Sequence, residues 1–170
     1  MKDVFDVRRS ENSDEVLKSL NGHIVPVVDV ADATYNIEDY QSGTIFSISK
    51  LDGCTINLPK AQAGLTFTIY LSGTLTGGTT LISADSDADT FQGVVANHDK
   101  DHLGTAVALN ENIDTDGWNF PAAADYRLTL DAATDGWFLG GHIKVVGLST
   151  TKWLITGDLF GDGTVSHIFS

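Results

Sequence analysis

A chain of 170 residues with 42 % hydrophobic and only 19 % charged side chains fits one domain, or one domain with a short appendage, and can bury enough surface to fold without a staple. Its formal net charge of −13 repels phosphate, and no basic stripe with interleaved aromatics reverses that field locally, which argues against nucleic acid as a partner. Cys54 is the sole cysteine, which excludes an intrachain disulfide and suits folding in a reducing cytoplasm.

The N-terminal stretch, MKDVFDVRRSENSDE, holds no apolar run of the signal-peptide kind, and no segment approaches membrane-spanning length, so a soluble protein with no membrane partner is expected. Its composition sets it apart. Lys2, Arg8 and Arg9 place three of the ten basic residues ahead of position ten. SENSDEVLKSLNG then predicts one short helix, with Asn12 as N-cap, Glu15 three residues on, Val16, Leu17 and Leu20 on one face, and Gly22 as a left-handed stop. A helix this short needs something to dock on, either its own domain or a neighbouring subunit. Residues 1–22 are accordingly taken as an arm and 23–170 as a β-domain.

From His23 onward the signals are strand and turn. HIVPVVDV is β-branched, but Pro26 removes one ladder hydrogen bond and marks an edge or entry segment. TIFSIS puts Ile45 and Ser47 on one face and Phe46 and Ile48 on the other. CTINLP alternates Ile56 and Leu58 before Pro59 ends it. In LTFTIYL, Leu65, Phe67, Ile69 and Leu71 face in while Thr66, Thr68 and Tyr70 face out. TTLISA and FQGVVA follow, separated by the acidic turn DSDAD. Asn97 to Asn119 is polar and weakly periodic, and is expected to be a long loop with short extended pieces. YRLTL, GWFLGGHIKVVGL, KWLITG and GTVSHIFS supply the last strands. Gly43, Gly53, Gly64 and Gly73 fall at strand ends, where positive φ is expected.

Roughly nine to eleven short strands with regular turn signals predict an all-β domain of sandwich, β-tulip or jelly-roll type carrying a short N-terminal helical arm. No repeat of fixed period is visible, which argues against a solenoid or propeller.

Two blocks are more specific than composition. Residues 35–71 run through an acidic turn, Ser42-Gly43, an alternating strand, a Gly turn, the Thr55–Pro59 stretch, Gly64 and a second alternating strand. Residues 124–169 join DYRLTLD to a Gly-rich hinge, a β-run, Trp153-x-x-x-Gly157 and a closing Gly-Asp-Gly-Thr. Together they cover about half of the chain, and the arrangement resembles the head-decoration (capsid cement) and fibre-like proteins of tailed bacteriophages. The resemblance implies a β-sandwich or β-tulip that assembles as a homotrimer on the outer capsid face, made in the host cytoplasm, with the major capsid protein as partner. The helix, the 97–119 stretch and the strong acidity do not follow from it.

Several constellations invite chemistry. Asp85, Asp87 and Asp89 alternate as at the start of an EF-hand, but Thr90 and Ala96 stand where that loop needs Gly and Glu, so a solvated turn is expected. His98 and His102 stand four apart without a helical pattern or a third ligand, so a polar loop is expected rather than a metal site. His23, His142 and His167 lie in strand contexts, where capping or packing is the ordinary role. Cys54 is taken as a small core residue. No nucleophile elbow or phosphate-cradling loop is present, and neither catalytic residue nor cofactor is expected.

The leading expectation is therefore a capsid-decorating virion protein. Arg8 and Arg9 would contact acidic capsid loops, Val16, Leu17 and Leu20 would dock, and Trp153 would pack in the core or at the trimer interface. The alternative is a carbohydrate-binding fibre or tail module with Trp118, Trp137, Tyr126 and Trp153 as sugar platforms, for which exposed aromatics are the discriminator. A small hydrolase would need a convergent carboxylate pair.

Overall fold

The computed structural model describes residues 25–99, 117–131, 140–161 and 168–170. The expected arm and its helix, with Arg8, Arg9, Val16, Leu17 and Leu20, lie outside the described residues, as do His23, His102, Trp137 and His167. What is described is all-β apart from one turn of 3-10 helix at Asp39–Gln41. The strands are β1 Val27–Val30, β2 Thr34–Asn36, β3 Ile45–Ile48, β4 Thr55–Asn57, β5 Thr66–Leu71, β6 Thr79–Ser83, β7 Thr90–Asp99, β8 Gly117–Asn119, β9 Arg127–Asp131, β10 His142–Gly147 and β11 Lys152–Gly161.

Period-two alternation decides which side of each strand is buried. In β5 the side chains of Phe67, Ile69 and Leu71 are buried while Tyr70 faces out. In β3 the buried pair is Phe46 and Ile48, and in β4 Ile56 is followed inward by Leu58. β1 begins just after Pro26 and forms one edge, as the missing N–H requires.

The strands form a seven-stranded sheet, ordered β1-β3-β5-β10-β11-β7-β8, and a four-stranded sheet, ordered β2-β4-β6-β9. The first six strands alternate between the two sheets. Each pair of crossings brings the chain back running the same way, so β1, β3 and β5 pair in parallel, and so do β2, β4 and β6. Sandwiches and jelly rolls of the expected type pair mostly antiparallel. Here five of the nine described strand pairings are parallel. The lack of a sequence period does not prevent a solenoid-like winding over residues 27–83. Stacked positions run Val27, Ile45, Thr68 in one sheet and Thr34, Thr55, Leu81 in the other, at unequal spacing. The coils stack without being equal in length.

One buried cluster draws on both sheets. Its spine is a file of rings: Tyr35 on β2 lies 5.6 Å from Phe46, Phe46 lies 6.2 Å from Phe67, and Phe67 lies 6.0 Å from Trp153. Trp153 is fully buried, with Gly147 beside it on β10 and Phe91 on β7. Large beside small lets the layer interdigitate.

Asp89 departs from its expected place in a solvated turn. Asp85 and Asp87 are exposed, but Asp89 is buried, and its Oδ2 accepts the Ala61 N–H at 2.8 Å. A carboxylate here closes the coil exit after β4 by satisfying a backbone donor that water does not reach. Asp89→Ala is expected to cost about 1–3 kcal/mol in urea unfolding, the penalty of orphaning that N–H, and Asp89→Asn, which keeps an acceptor, to cost less.

Cys54 is buried just ahead of β4, its N–H donating to Thr80 Oγ1 at 3.2 Å. Burial pushes its thiol above the usual range, and the Thr80 hydroxyl pulls it partly back. The folded thiol thus holds its proton where the unfolded one has lost it. That contribution to stability is whole below the ordinary thiol pKa of about 8.5 and fades as pH rises beyond it. Iodoacetamide should label native Cys54 only as fast as the fold opens, and the urea midpoint should fall on the alkaline side; rapid labelling of the folded protein would contradict this.

Gly43, Gly53 and Gly64 have positive φ. Gly73 is not among the positive-φ glycines; a Cβ there would run into the Leu51 side chain, so close approach explains that position.

Candidate functional site

The outer face of the seven-stranded sheet carries the most unusual surface. Asp29, Ser47, Tyr70, His142, Asp158, Ala96 and Trp118 are successive register partners, one from each strand, in an unbroken row across it. Their inward neighbours, among them Ile69, Ile143 and Val95, are fully buried, so the row faces away from the core; Ala96 within it is nonetheless only 5 % exposed.

Towards β8 the row becomes aromatic and ionisable. Residues 118–120 alternate strongly: Trp118 is 69 % exposed, Asn119 is buried, and Phe120 is 62 % exposed. Two strands away, Asp158 on β11 stands between two imidazoles, with His98 Nε2 at 3.3 Å from Oδ1 and His142 Nε2 at 3.9 Å from Oδ2. The shorter of the two contacts is within hydrogen-bond distance and the longer is not. The His98 ring is also stacked on Phe160, centroids 5.5 Å apart. A partly exposed carboxylate is thereby oriented by one hydrogen-bond contact on the outer face of the sheet.

A groove of about 670 Å³ lies elsewhere, where the turn after β2, the exit of β4, Asp85 and Thr150 meet. Asn36 and Asn57 are register partners on its floor, and Asn57 Nδ2 donates to Asn36 Oδ1 at 2.8 Å. Glu38, Asp39 and Asp85 face it, with Lys60 on the same lining. Among the described residues, no group of three or more His, Cys, Asp or Glu is placed to hold a metal ion.

The expected site residues fall as follows. Trp153 packs in the core of its own chain. Tyr126 is half-buried against that core, with the Arg127 guanidinium 4.6 Å over its ring, so neither is a free platform. Trp118 is exposed. His98, expected in a polar loop, is on β7, because that strand continues to Asp99 in register with Phe160 and Gly161. Tyr70 faces out as expected; His142, expected to cap or pack, stands part-exposed beside Asp158 on the same face; Asp158 and the exposed Phe120 had not been singled out. The W-N-F alternation was a readable signal for Phe120; Asp158 and His142 become neighbours only through the β10–β11 register.

Compared with known proteins, the chain matches no family model, no curated protein and no solved structure.

Proposed function

We propose that this chain is a structural protein of a tailed-phage particle that decorates the outer capsid surface as a homotrimer, bridging adjacent copies of the major capsid protein. The observation that carries this reading is the β1 edge. Val27, on the edge strand β1 that pairs on one side with β3, is 65 % exposed, Val25 just ahead of that strand is 46 % exposed, and the arm precedes both in sequence. An exposed apolar edge is a liability unless a partner covers it. Because the arm precedes this strand in sequence, edge and arm are assigned together to capsid attachment. The finer fold reading, a β-sandwich or β-tulip, is supported by two sheets over one core and by positive φ at Gly43 and Gly64, two of the positions that carry the resemblance. The parallel winding of the first six strands is where the chain departs from it.

Three modest contacts joined by trimer symmetry give avidity without any one strong site. Arg8, Arg9, Val16, Leu17 and Leu20 are the arm residues assigned to the capsid. Removing the residues before Gly22 should abolish co-sedimentation with expanded capsids while leaving a cooperatively unfolding β-domain; retained binding would take the arm out of the contact. Native mass measurement should give three copies.

A further inference from the structure

We propose that the outer face of the seven-stranded sheet, at its β8 side, binds a neutral oligosaccharide, with Trp118 and Phe120 as stacking platforms and Asp158 as the acceptor for sugar hydroxyls. The proposal does not rest on the capsid reading; it uses the sheet edge opposite to β1.

Three observations carry it. The two rings are exposed either side of buried Asn119, Trp118 on β8 and Phe120 just past its end, so two apolar ring surfaces stand close together in solvent. The C–H face of a pyranose ring is apolar and its rim is hydroxyl, and stacking satisfies the first while leaving the second unpaired. Asp158, two strands over and about 10 Å away at the backbone, supplies the missing acceptor, with the small, buried Ala96 as the register partner between it and Trp118. A hydrogen bond to an ionised carboxylate is stronger than one between neutral groups. His98, within hydrogen-bond distance at 3.3 Å, orients that carboxylate before any ligand arrives, and His142 lies near its other oxygen. Such pre-organisation spares the ligand the entropy of ordering the site.

Charge selects the class of occupant. A chain of net charge −13 disfavours sulfated, sialylated or uronate-rich glycans. The centre of a protein interface is depleted of charge, whereas a carboxylate here would have to be stripped of water against a protein partner. A neutral sugar instead meets the carboxylate with its own hydroxyl donors.

The test is calorimetric titration of the full chain with laminarihexaose, cellohexaose and maltohexaose, with heparin hexasaccharide as the anionic comparison. At least one neutral hexaose should bind. Trp118→Ala should weaken it by about tenfold or more, the weight of one aromatic stacking contact. Asp158→Asn should also weaken it, and Trp118→Tyr should retain it. Tyr40→Ala, which removes an exposed ring elsewhere, should change nothing. Trp118→Ala should melt like the parent, because its side chain is in solvent. No binding by any neutral hexaose, equal binding by Trp118→Ala, or preference for the heparin fragment would each overturn the proposal.

Discussion

Trp153→Ala should lose about 3–5 kcal/mol of stability, a third or more of what a domain of this size commonly has. The indole ends the file of rings that runs from Tyr35 through Phe46 and Phe67, and so ties β11 to the stacked coils. Gly147 and Phe91 flank it on neighbouring strands. Gly147 offers no side chain to swing into the space, and its own backbone is hemmed in by the Gln62 carbonyl. The site cannot collapse, so the cavity term adds to the lost burial. Trp153→Phe is expected to lose less, since it keeps a ring and removes a buried indole N–H that has no partner among the described residues. Urea unfolding should show the midpoint falling in that order with the slope unchanged. A loss below about 1 kcal/mol for the alanine variant would mean that the ring file does not hold the sheets together.

Gly93→Ala should be comparably severe, for a different reason. Gly93 lies opposite Ile155 in the longest ladder of the fold, with φ at 130°, where L side chains are rarely found. A Cβ there would run into the Ile155 carbonyl, which is backbone and cannot rotate away. Strain of about 1–3 kcal/mol combines with the need to push β7 from β11, for an expected loss of roughly 3 kcal/mol or more. Gly64→Ala is the control. Its φ is also positive, but a Cβ meets nothing within 4 Å, so it should lose only about 1 kcal/mol of backbone strain. Equal losses at the two positions would show that close strand approach at Gly93 is not the cause.

Both glycines stand in strand contexts in the sequence, and nothing there separates the crowded position from the open one. Alternation in β3, β4 and β5 predicts which side chains are inside, because a strand has only two faces. Pro59 predicts where β4 stops. Neither says which strand lies alongside, and coils of unequal length leave no period to detect, so the parallel winding stays hidden until the register is known. Asp89 stands in the same D-x-D-x-D run as its exposed neighbours. Only the Ala61 N–H, brought to it across 28 positions, makes it a buried anchor. The outer face divides in the same way. Trp118 is legible as an aromatic in a polar stretch, whereas Asp158, His98 and His142 come from three strands that only the sheet brings together.

If the chain decorates a capsid as proposed, its copy number in density-purified particles is the decisive quantity. A decoration protein should co-purify with the shell in tens to hundreds of copies, in a fixed ratio to the major capsid protein, and should leave the shell intact when released. Absence from the particles, or only the few copies of a tail component, would contradict it.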